Sequence, residues 1–227
     1  MTFNVIFILI MIISLLIDRR SDRTKNNIRV PLTEEIMVFY SATILYDLFD
    51  SGTILFTGIT SPVGKIMIQI TVFGYYAVGA FQTIFFLQVI QKHIAEKNGL
   101  KLLKKIIFAF QLFQIPCIVL LAATPFTDAL YYFDEGNIYT RGAFYPVWYY
   151  TTIISFTFII VVFIIFFKKT ERFTRAVITI CAIVPMISFL LNFTYTGISF
   201  NNISVFITSL LLFVMYEQGR AKETGKK

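Results

Sequence analysis

The chain has 227 residues, of which 57% are hydrophobic, 17% aromatic and only 15% charged, whereas an ordinary globular domain is about a quarter charged. So apolar a composition excludes a water-soluble fold, and the polar stretches between the apolar runs are too short to fold alone. The net charge of +7 does not point to nucleic acid, because the basic residues lie in short segments beside apolar runs, where anionic lipid headgroups are the natural partner.

Crossing the hydrocarbon takes about 20 largely apolar residues. In chain order the apolar runs predict seven transmembrane helices, at Thr2–Ile17, Glu35–Phe56, Ile66–Ile90, Leu103–Ala123, Pro146–Phe167, Ala176–Tyr195 and Ser199–Met215. The expected fold class is therefore all-α, a polytopic membrane helix bundle. Residues 1–216 form its single domain and 217–227 a short basic cytoplasmic tail. The first run lacks the basic start and small-residue cleavage site of a signal peptide, and reads as a retained helix.

The second run carries Asp47 and Asp50, three residues apart and so on one helix face. A carboxylate at the bilayer centre costs about 2.5 to 3.5 kcal/mol on insertion scales, so each must face the bundle interior, a partner or water. Two readings stand: a proton, cation or ligand site, or a pair of hydrogen-bonding residues near the outer interface. The third and fourth runs carry Gln69, Gln82, Gln88, Gln91, Gln111 and Gln114, with Gly74 and Gly79. Helix packing explains them, since interhelical hydrogen bonds are worth about 0.6 to 2 kcal/mol and glycines allow close approach. Pro116 and Pro185 each remove a backbone donor mid-run and are expected to kink their helices.

The longest segment between runs, Thr124 to Tyr145, reads as a turn-rich loop at the membrane interface, with Asp128, Asp134, Glu135, Gly136 and Gly142 among aromatics. Tyr131, Tyr132, Tyr139, Tyr145, Trp148, Tyr149 and Tyr150 crowd its flanks and read mostly as interfacial anchors.

Orientation follows from the basic residues, because short cytosolic loops retain positive charge during insertion. Of the 20 Lys and Arg, all but Lys65 and Arg141 follow the first, third, fifth or seventh run. The N-terminus is expected outside and the C-terminus in the cytosol, at the cell membrane.

Catalytic chemistry has little to work with. The single histidine, His93, falls among Lys92, Glu96 and Lys97, so neither a metal hydrolase nor a His-containing triad is expected. Cys117 and Cys181 fall inside separate apolar runs, without zinc-ligand or disulfide-framework spacing. Asn192-Phe193-Thr194 is a glycosylation triplet at the edge of a span and is dismissed. The chain is expected not to be an enzyme, with no catalytic residues, no metal and no cofactor.

The string Tyr131-Tyr132-Phe133-Asp134-Glu135-Gly136-Asn137-Ile138-Tyr139-Thr140-Arg141-Gly142-Ala143-Phe144-Tyr145 resembles the corresponding loop of a known sensor region. That region is the seven-helix N-terminal part of many bacterial, chiefly Firmicute, diguanylate cyclases and histidine kinases. There the loop reads roughly phenylalanine, a hydroxyl or apolar residue, aspartate, then tyrosine, any residue, arginine, glycine. The acidic second run and the even spacing of seven runs extend the resemblance over nearly the whole chain. The family's output domain is missing after Met215, as are its cyclase and phospho-acceptor signatures. The resemblance implies a signal-sensing module that relays a stimulus through its last helix to a cytoplasmic output.

Ligand or sensing candidates are Asp47, Asp50, Asp134, Tyr139, Arg141, Gly142 and Tyr145. Arg141 is expected to pair Asp134 or Glu135, and Gly142 to free the backbone as it turns into the next run. Candidate partners are the lipid bilayer, a second copy of the chain, and a cytoplasmic diguanylate cyclase or histidine kinase. The alternative class is a small transporter or channel subunit using Asp47 and Asp50.

Overall fold

The structure, a computed structural model, describes residues 2–24, 33–96, 99–166, 172–194 and 200–224. Lys25, Arg29, Lys97, Lys168, Lys169, Lys226 and Lys227 of the basic count lie outside the described residues, as do Phe167, Tyr195 and Ser199 at the edges of expected spans.

The helices are α1 (Thr2–Thr24), α2 (Thr33–Phe56), α3 (Pro62–Ile90), α4 (Lys101–Leu112), α5 (Ile115–Thr127), α6 (Tyr145–Phe166), α7 (Arg172–Thr194) and α8 (Phe200–Thr224). Between α5 and α6, β1 (Tyr131–Phe133) and β2 (Tyr139–Arg141) form an antiparallel hairpin, Tyr131 opposite Arg141 and Phe133 opposite Tyr139. Among the described residues the secondary structure is helical apart from this hairpin, which takes the place of the turn-rich loop expected there.

Local chemistry sets the boundaries. Ser61 Oγ accepts from the Gly64 N–H at 3.2 Å and Pro62 opens α3, a side-chain cap followed by a residue whose φ already suits a helix. The fourth expected span is a broken rod. Pro116 supplies no N–H to the carbonyl of Leu112, and the chain turns at Phe113–Gln114 before α5 begins. Pro185 lies inside α7 without interrupting it. Downstream of α3 the helix widens into a π turn, Gln91–Glu96, tied to α4 by Lys104 Nζ donating to Glu96 Oε1 at 2.7 Å.

Contacts between neighbours show that successive rods reverse direction. Phe39 packs on Phe86 while Tyr46 packs on Tyr75, so α2 and α3 are antiparallel. Gln114 meets Ser155 and Phe110 stacks on Phe158, making α4–α5 antiparallel to α6. Tyr149 near the start of α6 meets Phe189 near the end of α7. At one end of the bundle lie the hairpin, Lys65 and Arg141; the opposite end holds Lys92, Lys101, Lys104, Lys105, Arg172 and Arg175.

Among the described residues, four helices are long and apolar enough to cross a membrane: Pro62–Ile90, Lys101–Thr127 taken as one rod, Tyr145–Phe166 and Phe200–Gln218. Phe3–Leu16 and Arg175–Leu191 are shorter apolar stretches. α2 has the length, at 24 residues, but Asp47 and Asp50 interrupt its apolar run. Large apolar side chains also cover the outside of the bundle, Ile164 and Ile165 each being 67% exposed, which suits lipid and not water.

Helices that lie in lipid lose most of the hydrophobic drive for association and rely on close packing and hydrogen bonds. Gln82 Nε2 donates to Thr43 Oγ1 at 3.1 Å and Gln114 Nε2 to Ser155 Oγ at 2.8 Å, the interhelical role expected for these glutamines. Gly74 receives the Phe49 ring, and Gly52 lies against Thr71, so α2 and α3 meet through small residues. Cys117 and Cys181 are buried free thiols in two apolar cores.

Candidate functional site

The hairpin is pinned at both ends. At its tip Asn137 adopts a left-handed conformation, φ 60°, and donates through Nδ2 to the Ile59 carbonyl at 2.8 Å, while the Gly58 N–H donates to the Asn137 carbonyl at 3.2 Å. That seats the tip on the α2–α3 turn. At its base the Gly142 N–H donates to the Leu130 carbonyl at 2.8 Å, and the backbone of Gly142 passes directly over the carbonyls of Asp128 and Ala129. Midway, the phenols of Tyr139 and Tyr76 hydrogen-bond, linking the hairpin to α3. Burial pushes the phenols of Tyr131 and Tyr139 up to about 12, so both stay protonated at physiological pH.

Beneath the hairpin is a cavity of about 760 Å³, well within the size range of small-molecule sites. Tyr139, Thr140 and Arg141 of β2 form its roof and Tyr145 and Trp148 of α6 its flank. Tyr46, Tyr75 and Tyr76 wall it on α2 and α3, joined by Tyr46 Oη donating to Tyr75 Oη at 2.5 Å and by Tyr76 meeting Trp148 edge to face at 5.0 Å. Its far end reaches Phe39, Phe86 and Phe156, whose rings pack in series at 6.3 and 6.1 Å. α8 contributes Asn201, Ser204, Val205 and Thr208.

Asp50 lies on the cavity wall and also knots three helices. Its Oδ2 accepts from Asn4 Nδ2 of α1 at 2.7 Å and from Asn202 Nδ2 of α8 at 2.6 Å. Both asparagines sit in the first turn of their helices, so Asp50 is level with the hairpin-side ends of α1 and α8 and not at their mid-depth. The end of α2 consequently stands above the level of Asp50 by about 9 Å, at 1.5 Å per residue from Asp50 to Phe56. Asp47, about one turn deeper, is fully buried, and neither of its oxygens has a hydrogen-bond partner among the described residues. It does not line the cavity.

The sequence candidates thus divide. Asp50, Tyr139, Arg141 and Tyr145 come together around the cavity. Asp134 does not join them: its Oδ1 accepts from the Ile138 N–H at 2.9 Å and closes the hairpin turn. The expected pairing of Arg141 with Asp134 or Glu135 is not formed, because Arg141 ends β2 at the base of the hairpin while both acids lie at its tip. Its guanidinium instead lies over the Tyr145 ring, 4.6 Å from the centroid. Gly142 does not supply an unusual φ; it is needed because any Cβ would strike the Asp128 and Ala129 carbonyls.

Of the aromatics read as interfacial anchors, Tyr132 and Tyr150 are exposed, whereas Tyr131 and Trp148 are buried, and Tyr139, Tyr145 and Trp148 face the cavity. Tyr46, Tyr75, Tyr76 and Asn137 were not singled out by the sequence. The adjacent Tyr75-Tyr76 pair between Gly74 and Gly79 is a signal that could have found the wall, and a Gly-Asn step in a loop is a signal for a left-handed residue.

The chain matches no protein-family model, no curated protein and no solved structure.

Proposed function

We propose that this chain is a membrane-embedded signal-sensing module whose stimulus is received in the cavity beneath the hairpin and relayed by α8. One observation carries the reading: α8 lines the cavity through Asn201, Ser204, Val205 and Thr208, and the same helix runs unbroken to Thr224 at the basic end. A change in what fills the cavity therefore acts on the element that reaches furthest toward an output. In this reading the chain crosses seven times, with the hairpin outside and the basic end in the cytosol, where a diguanylate cyclase or histidine kinase would read α8. The serial reversal of the rods and the segregation of the described basic residues support that orientation.

The Phe39–Phe86–Phe156 series favours a receptor over a transporter, since it separates the cavity from the basic end with aromatic rings. Coupling between sites is worth typically 1–3 kcal/mol, or about 5-fold to 150-fold. With a cyclase output joined after Lys227, Arg141→Ala is expected to change basal output about fivefold or more at equal expression, measured as cyclic dinucleotide per protein. Unchanged output would reduce the hairpin to a structural lid and take away the relay.

A further inference from the structure

The wall chemistry of the cavity specifies a class of occupant, an inference that rests on the cavity being a ligand site. Its wall carries one carboxylate, Asp50, and the electron-rich rings of Tyr46, Tyr75, Tyr76, Tyr145 and Trp148. The two groups that hold Asp50 Oδ2 are neutral amides, which orient the carboxylate without cancelling its charge. Next to it on α8, Asn201 Oδ1 is buried with no hydrogen-bond partner among the described residues. Buried acceptors left open in this way call for a donor from outside the protein.

Aromatic faces attract a cation within about 6 Å, more strongly when water is excluded. The wall already shows this chemistry in the stack of Arg141 on Tyr145. Arg141 is itself exposed, and its guanidinium is already engaged with the Tyr145 ring at the edge of the roof. Deeper in, the wall carries the rings of Phe39, Phe86 and Phe156, which accept an apolar tail, beside the amides of Gln82 and Gln114, which are already hydrogen-bonded across helices. An anion would meet a carboxylate and ring faces of the same sign.

We infer that the cavity binds an alkylammonium ion, its charged nitrogen between Asp50, Asn201 Oδ1 and the tyrosine rings and its chain directed toward Phe39, Phe86 and Phe156. The ammonium could belong to a free amine or to an aminophospholipid headgroup. The single tryptophan of the chain, Trp148, lines the cavity and reports on its filling.

The test compares hexylammonium with 1-hexanol, equal in chain length and unequal in charge, by Trp148 emission of the full chain in phosphatidylglycerol nanodiscs. The expected result is saturable perturbation by both, with hexylammonium binding at least about tenfold more tightly and losing that advantage in Asp50→Asn. Adding phosphatidylethanolamine to the discs separates the sources. Competition with hexylammonium assigns the site to the headgroup, and absence of competition assigns it to the free amine. Equal binding of the two probes by the wild-type chain would overturn the ammonium assignment and leave the cavity as a ligand site. No perturbation of Trp148 by either would overturn both. Because the wild-type comparison needs no substitution, it stands even where Asp50→Asn fails to fold.

Discussion

Alanine at position 142 is expected to destabilise the protein by on the order of 3 kcal/mol, although it adds a single methyl group. That methyl would be driven into the carbonyl oxygens of Asp128 and Ala129, which belong to backbone and cannot rotate aside as a flexible side chain would. The same strand crossing is fixed by hydrogen bonds from Gly142 to Leu130 and from Phe144 to Ala129, at 2.8 and 2.9 Å. Relief of the clash therefore means lifting the base of the hairpin off α5 and opening the cavity roof. Gly136→Ala is the control, since its Cβ would meet only Asp134 Oδ1 at 3.3 Å and Ile138 side-chain atoms in an exposed turn. Thermal unfolding followed by Trp148 emission should show a large drop for the first and little change for the second. Equal melting of the two variants would mean that the crossing is looser than its geometry states.

Removing Asp50 is expected to cost more. Asp50→Ala takes away the one oxygen on which Asn4 and Asn202 converge. Hydrogen bonds to a charged group are worth about 1.5–3 kcal/mol each, and both amides would lose theirs. The expected loss is about 3–5 kcal/mol, concentrated at the hairpin-side ends of α1 and α8. Hydrogen exchange in the first turns of those helices should accelerate first. A double-mutant cycle gives the sharper reading: Asn4→Ala should be costly in the wild type and nearly silent in the Asp50→Ala background. Additive costs would show that the knot is not a unit.

How much of this was legible in the sequence depends on the range of the interaction. Apolar run length and the placement of Lys and Arg are local properties, and from them the helical class and the alternation of the rods could be read. The break before Pro116 and the pairing of Gln82 and Gln114 across helices were legible for the same reason, since a missing donor and an amide in apolar surroundings each allow few outcomes. Asp47 and Asp50 were indistinguishable as a sequence pair, yet one knots three helices at the edge of a cavity and the other lies buried without a partner. Which neighbour each face meets is decided by helices far away in sequence, Asn202 being 152 positions from Asp50. The cavity was invisible for that reason: its wall draws residues from α2, α3, α6, α7, α8 and the hairpin, and a tyrosine that lines it has the same local pattern as one that anchors in headgroups. The hairpin was missed because each strand has only three residues, too few to establish an alternating pattern.

The central claim is that the state of the cavity sets the position of α8, and it can be tested without knowing the stimulus. A side chain at Gly79 enters the cavity between Tyr46 and Trp148, its Cβ at 3.4 and 3.9 Å from those rings, which is ordinary contact. Gly79→Leu therefore fills part of the space as a ligand would. Spin labels placed at Gln218 on α8 and Lys101 on α4, in the full chain in nanodiscs, report the distance between the two at the basic end. The account predicts that Gly79→Leu shifts that distance distribution relative to the wild type; coincident distributions, in a variant that melts as the wild type does, would contradict it.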